Sequence, residues 1–216
     1  MSDQVTALRR IVVIGQKATA SPEFLLNDLP GTSGRLDVLL RCVRAALLVS
    51  HGLRGDTIVY LVLLGGPRAP RTLRVEGAVA AYVRPDERAL GNLAQKALAK
   101  PAGERGFSLF RRGIAVGEGG LDLVLDDLGA CTPYVLEEDA PDVRDASLTR
   151  VPGLPDAFFI GDHLGFDEAT RARLASIGAK PISVGPVSVH ADDAVALIVN
   201  ELDRREARRA PDLARG

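Results

Sequence analysis

Two short apolar runs late in the chain each stop at a glycine. The first is Phe158-Phe159-Ile160-Gly161-Asp162-His163-Leu164-Gly165, and the second is Pro181-Ile182-Ser183-Val184-Gly185-Pro186. Each reads as a buried strand ended by a Gly turn. Neighbouring strands that both end in glycine leave bare backbone amides and carbonyls along one edge of a sheet. In α/β proteins that edge is where adenosine-containing ligands bind. Taken alone, either glycine is also compatible with an ordinary turn; it is their succession that points to a ligand edge.

The rest of the chain supplies strands and helices in alternation. Arg9 to Gly15 predicts a first strand, and Asp56 to Leu64 a nearly continuous apolar, hence central, strand. Between them, Gln16 to Ser33 is polar and rich in Pro and Gly, the length of a functional loop. Leu36, Leu39, Leu40, Val43, Ala46 and Leu47 recur at helical spacing within a helix over Gly34 to Ser50, whose apolar face takes in Cys42 as a small core residue. Arg71 to Val83 predicts two short strands joined around Gly77. Pro85 to Lys100 carries the Pro, acidic start and basic end of a helix. Pro101 to Gly120 is Gly-rich and basic, with a short strand at Phe107 to Phe110. Leu121 to Leu128 is a helix stopped by Gly129, and Thr132 to Leu136 a strand running into Glu137-Glu138-Asp139. Asp142 to Pro155 reads as irregular, Asp167 to Ile177 as a helix, and His190 to Arg208 as the last helix, with Ala191, Ala194, Val195, Ile198 and Leu202 inward. The expectation is one α/β domain over 1–209 with a mostly parallel sheet, and a frayed tail over 210–216.

Several chemistries are excluded by missing patterns. No Gly-x-Gly-x-x-Gly follows the first strand, no phosphate loop ends in Gly-Lys-Ser/Thr, and no Gly-x-Ser-x-Gly elbow occurs. His51, His163 and His190 lack metal-ligand spacing, Cys42 and Cys131 fit no zinc or disulfide framework, and no metal is expected. No apolar run approaches the roughly 18 residues of a membrane span, and no leader pattern opens the chain, so the expected compartment is cytoplasmic. The net charge of −1 conceals an asymmetry: seventeen of the 27 Lys/Arg but nine of the 28 Asp/Glu precede Gly113. A basic half raises the case for a nucleic-acid partner, and it also fits a head-to-tail contact between halves or subunits.

Five motifs in order carry a family resemblance: Asn27-Asp28-Leu29-Pro30-Gly31, Gly34-Arg35-Leu36-Asp37, Gly161-Asp162-His163-Leu164-Gly165, Ser183-Val184-Gly185-Pro186 and Asn200-Glu201-Leu202-Asp203-Arg204. From Ile11 to Arg204 the chain resembles the TrmY family, tRNA pseudouridine N1-methyltransferases of the SPOUT class. The resemblance implies a C-terminal trefoil knot, a departure from the usual absence of knots. It implies an S-adenosylmethionine pocket walled by three loops, placed here at Leu136, at Gly161, and at Ile182, Ser183, Val184, Gly185, Pro186 and Val187. It also implies RNA, tRNA above all, as the partner, and a homodimer. Ribosomal RNA is the alternative substrate, and a non-catalytic RNA-binding role a third reading.

The chemistry of such a reaction matches residues in the long first loop. Pseudouridine is joined to ribose through carbon, so its N1 carries an N–H that uridine lacks. Methylating N1 requires an oriented proton acceptor and a rigid grip on both reactants. Asp28 is the candidate acceptor. Asn27 is suited to hydrogen-bond a uracil edge, and Arg35 and Lys17 to hold phosphates. An Asx turn or helix cap is the other reading of Asn27-Asp28. For His163 the alternatives are a polar group beside a ligand and a turn cap.

Overall fold

The computed structural model describes residues 8–213 apart from 102, 104, 105, 147, 149, 150 and 152, with side chains as far as 208. In chain order the elements are β1 (Arg9–Thr19), α1 (Leu29–Thr32), α2 (Leu36–Leu47), β2 (Leu48–Val49), β3 (Gly52–Leu53), β4 (Thr57–Gly65), β5 (Arg71–Glu76), α3 (Glu87–Leu98), β6 (Phe107–Arg111), β7 (Ile114–Glu118), α4 (Leu121–Leu128), β8 (Thr132–Leu136), β9 (Asp156–Gly161), α5 (Glu168–Ser176), β10 (Lys180–Ile182) and α6 (Ala191–Leu213). Eight strands make one sheet in the order β10-β8-β9-β1-β4-β5-β7-β6. The five from β10 to β4 are parallel; β5, β7 and β6 extend them antiparallel.

Burial on both faces explains the continuous apolar strands. Ile11 and Val13 of β1, with Val59, Leu61 and Leu63 of β4, face one core with α2, α3 and α6. Val12, Ile14, Ile58, Tyr60 and Val62 face a second core, closed by Val124 and Leu128 of α4 and Leu174 of α5. Alternate residues of a strand thus serve opposite layers, and a one-residue slip in register would exchange the two cores. Cys42 is buried on α2, as its place on the apolar face predicts, and burial pushes its thiol pKa up. Asp86 and Asp167 cap α3 and α5 by accepting from the amides of Ala89 and Thr170, each at 2.8 Å.

Four details differ from expectation. Arg71 to Val83 holds one strand, not two; the partner of β5 is β7, whose apolar residues Ile114 and Val116 lie in the Gly-rich, basic stretch where a strand was expected only at Phe107 to Phe110. β1 runs on to Thr19 through an irregularity after Gly15. The last strand is Lys180–Ile182, and Ser183 to Pro186 leave the sheet. The final helix spans Ala191–Leu213, longer than the His190 to Arg208 expected, and residues 214–216 of the expected tail lie outside the described residues.

Candidate active site

Parallel strands place their carboxyl ends together, and the loops leaving β8, β9 and β10 meet there with the start of α6. Backbone bonds fix the arrangement. Glu137 N–H donates to Ile182 O at 2.8 Å, Ser183 N–H to Pro141 O at 2.8 Å, and Val143 N–H to Ser183 O at 2.7 Å. From the far end of α6, the Arg205 guanidinium donates to the carbonyls of Val143 and Ala146. The 137–146 connection is therefore laced both to the segment after β10 and to the final helix.

The loop after β9 is held by one buried carboxylate. Asp162 accepts from the Gln16 amide and the Leu164 amide, both at 2.9 Å, and its own amide donates to Ile14 O. Its side chain has no exposed surface. Gly161 is required by this turn: a Cβ there would lie 2.8 Å from the Cα and carbonyl carbon of Gly165. The missing side chain makes room for the loop's own backbone, so the glycine shapes the pocket wall rather than yielding space to a ligand directly.

Together these loops enclose a cleft of roughly 970 Å³. Seven of the eight residues expected to bind a cofactor line it: Leu136, Gly161, Ser183, Val184, Gly185, Pro186 and Val187. Ile182 does not; it is buried in the core beneath, where its carbonyl anchors Glu137. The wall is mixed in character. Val38, Phe166 and Val189 add apolar surface, while Glu137, Glu138, Asp139 and Asp193 add carboxylates. Glu137 pairs with Arg171 at 3.2 Å, and Glu138 accepts from the Ser188 hydroxyl at 2.7 Å.

Arg35, expected to hold an RNA phosphate, also lines the cleft. It precedes α2 in a left-handed conformation, φ +69°, and lays its guanidinium on Asp37 at 3.1 and 3.3 Å. Asp37 is buried, which works against its charge, but hydrogen bonds from Arg35 and Arg41 hold its carboxyl below the usual carboxylate range. Arg41 continues to Asp192 at 3.3 Å and Glu87 at 3.6 Å. This chain of ion pairs connects the end of the first loop to the first turn of α6.

Lys17, Asn27 and Asp28 lie outside the lining. Lys17 has an exposed side chain; its carbonyl is wedged where a Cβ on Gly34 or Gly65 would stand, at 1.9 and 2.1 Å. Asn27 is exposed, and Asp28 caps α1 by accepting from Gly31 N–H at 3.2 Å. His163 lines the cleft, with Nδ1 4.0 Å from Asp162. Sequence reasoning missed Arg171, Asp193 and His190 as lining residues. A helix start directly after the third loop was the available signal for the last two. Among the described residues no cluster of His, Cys, Asp and Glu could hold a metal ion, and no helix is long and apolar enough to cross a membrane.

Residues 8–207 match a family model described as "Putative SAM-dependent RNA methyltransferase". The chain is 45% identical over 202 residues to the tRNA (pseudouridine(54)-N(1))-methyltransferase of Methanosarcina acetivorans, covering 94% of each chain. It is 40% identical over 200 residues to the protein of the same name from Halobacterium salinarum, covering 91% of this chain and 96% of that one. Among solved structures, Archaeoglobus fulgidus Nep1 bound to S-adenosylhomocysteine superposes with a TM-score of 0.61 at 15% identity, over 94% of this chain and all of that one.

Proposed function

The chain belongs to this family of SAM-dependent RNA methyltransferases, and we propose that it transfers a methyl group to N1 of a pseudouridine in tRNA. The observation that carries the reading is the cleft at the carboxyl ends of β8, β9 and β10, in a chain 45% identical to an enzyme named for that reaction. Against ribosomal RNA as substrate stands the shared name of relatives at 35–45% identity, each a tRNA methyltransferase.

The cleft residues fit S-adenosylmethionine. A volume of roughly 970 Å³ lies at the upper end of the range for small-molecule sites. Leu136, Val38 and Val184 suit the adenine, backbone groups around Gly161 and Gly185 suit its polar edge, and the carboxylates of Glu137, Glu138 and Asp193 suit ribose hydroxyls and positive charge. When bound, S-adenosylmethionine supplies an electrophilic methyl group on a sulfonium centre. The chain's part is to hold the nucleobase in line, exclude water and accept the N1 proton.

Asp28 remains our candidate for the acceptor, with Asn27 beside it for the uracil edge. Both are exposed on the loop after β1, outside the cleft of their own chain. A homodimer that brings this loop to a partner's cleft would join the two. Exposed Val187 at the cleft, Leu164 in the loop after β9 and Leu197 on α6 support such a covered face. We also propose that the lacing of 137–146 to the segment after β10 and to α6 closes a trefoil knot. Arg35 in the cleft lining and the exposed Lys17 of β1 are assigned to RNA phosphates, and the compartment to the cytoplasm.

The test is nucleoside mass spectrometry. Purified protein, S-adenosylmethionine and tRNA from a strain lacking the gene should yield N1-methylpseudouridine. Transfer to ribosomal RNA alone would promote the alternative substrate.

A further inference from the structure

At the end of the sheet opposite the cleft, the molecule presents an aromatic side chain that its fold does not use. Tyr82, in the connection between β5 and α3, is 87% exposed. Its backbone is left-handed, φ +60°, unusual for a residue with a Cβ. The β6–β7 hairpin fixes it there: the Arg111 guanidinium donates to Tyr82 O at 3.1 Å. Gly113 at the hairpin tip lies so close to Ala80 that a Cβ would stand 2.4 Å from its backbone. The ring is thus aimed at solvent from a rigid mount.

The surroundings are basic. Arg84, Arg88 and Arg112 are exposed, and among the described residues no ion pair holds them. The acids nearby are engaged: Glu76 pairs with Arg74, Asp86 caps α3, and Glu87 faces Arg41. Leu109, on the edge strand β6, is 74% exposed and adds apolar surface. An exposed ring with exposed guanidinium groups two residues on, at Arg84, and on the hairpin that holds its backbone, at Arg112, is the kind of surface that binds unpaired bases by stacking and their phosphates by charge.

We propose that Tyr82, with Arg84, Arg111 and Arg112, is a second RNA-docking surface that stacks an unpaired base of the substrate away from the cofactor cleft. This rests on the RNA methyltransferase reading. Its distance from the cleft follows from register. Glu76 pairs with Ile58, which pairs with Arg10, four residues before Ile14 beside Gly161. With four strand spacings from β9 to β7, the separation is roughly 20–25 Å. A folded RNA spans that distance, so the surface would add affinity and orientation without touching the reacting base.

Direct tRNA binding by fluorescence anisotropy tests this independently of methylation. Tyr82→Ala should weaken tRNA binding about 5- to 100-fold without changing its salt dependence, and Tyr82→Phe should bind like wild type. Arg112→Ala should instead lower the log–log salt slope by about 0.7 to 0.9. S-adenosylmethionine affinity and kcat at saturating tRNA should stay at wild-type values in all three, while KM for tRNA rises in the two Ala variants. Unchanged tRNA affinity in both Ala variants would overturn the proposal and leave the surface to a protein partner. A fall in kcat with KM unchanged would equally overturn it. If wild type binds tRNA through Tyr82 yet methylates none, the docking surface stands and the assigned reaction fails.

Discussion

Gly161→Ala isolates the turn on which the cleft proposed to hold the cofactor depends. The added Cβ would stand 2.8 Å from the Cα and carbonyl carbon of Gly165, about 0.7 Å short of the ~3.5 Å at which carbon atoms rest. Both offending atoms are backbone, so the clash is relieved only by displacing the 162–165 loop. That loop is stapled by Asp162 to the amides of Gln16 and Leu164, which resist the movement. Overpacking of this kind costs about 1–3 kcal/mol, which for a domain of this size lowers Tm by roughly 2–12 °C. A shift of ~0.7 Å also carries a 2.9 Å hydrogen bond beyond its useful range. One lost bond to the cofactor, worth about 0.5–1.5 kcal/mol, reduces affinity roughly 2- to 13-fold. Differential scanning fluorimetry and titration calorimetry with S-adenosylmethionine read the two effects separately. A variant with wild-type Tm and wild-type affinity would refute the reasoning, because the loop would then neither resist the methyl group nor form the pocket.

Three further outcomes follow from the ion pairs and carboxylates. Asp37→Asn should lower stability by about 1–3 kcal/mol, less than a fully buried pair because Arg35 and Arg41 stay partly solvated; urea unfolding measures it. Because the Asp37 pKa is depressed in the folded chain, its stabilisation is complete above the ordinary carboxylate value near ~3.9 and is lost as pH falls through the lower folded value. The Asn variant should therefore lose part of the wild-type's steepness in acid unfolding below about pH 4. Asp28→Asn should slow single-turnover methyl transfer by about 10²- to 10⁴-fold with cofactor affinity unchanged; if Asp193→Asn has that effect instead, the acceptor lies on α6. Arg35→Ala should weaken tRNA binding and reduce the log–log salt slope by about 0.7 to 0.9; loss of S-adenosylmethionine affinity alone would assign its guanidinium to the cofactor.

Strands buried on both faces were legible because their apolar runs are unbroken, as in Ile11 to Ile14 and Val59 to Leu63. Helices with Asp caps and Gly stops were legible at their ends: α4 spans Leu121–Leu128 as predicted, before Gly129 at φ +59°. β7 was not, because Ile114-Ala115-Val116 sits between glycines and its pairing with β5 bridges about forty residues of chain. Such non-local pairing leaves no local signal beyond β propensity. The cleft itself was readable because close backbone approach selects glycine at fixed places after strands. Asp162 illustrates the limit. Its Asx turn is local and predictable, but its bond to the Gln16 amide depends on β1 lying beside β9. Arg171 reaches the cleft from α5, whose own sequence carries no cue to it, and Asp193 had only the helix start after the third loop as a signal.

The proposed reaction turns on one N–H. Two tRNA transcripts identical except at the target nucleoside, one bearing pseudouridine and one uridine, should be incubated with the protein and methyl-labelled S-adenosylmethionine. Both should bind, because phosphates and unpaired bases are common to them. Label should enter only the pseudouridine transcript and appear, after digestion, as N1-methylpseudouridine. Label in the uridine transcript, or on any atom of pseudouridine other than N1, would contradict the account.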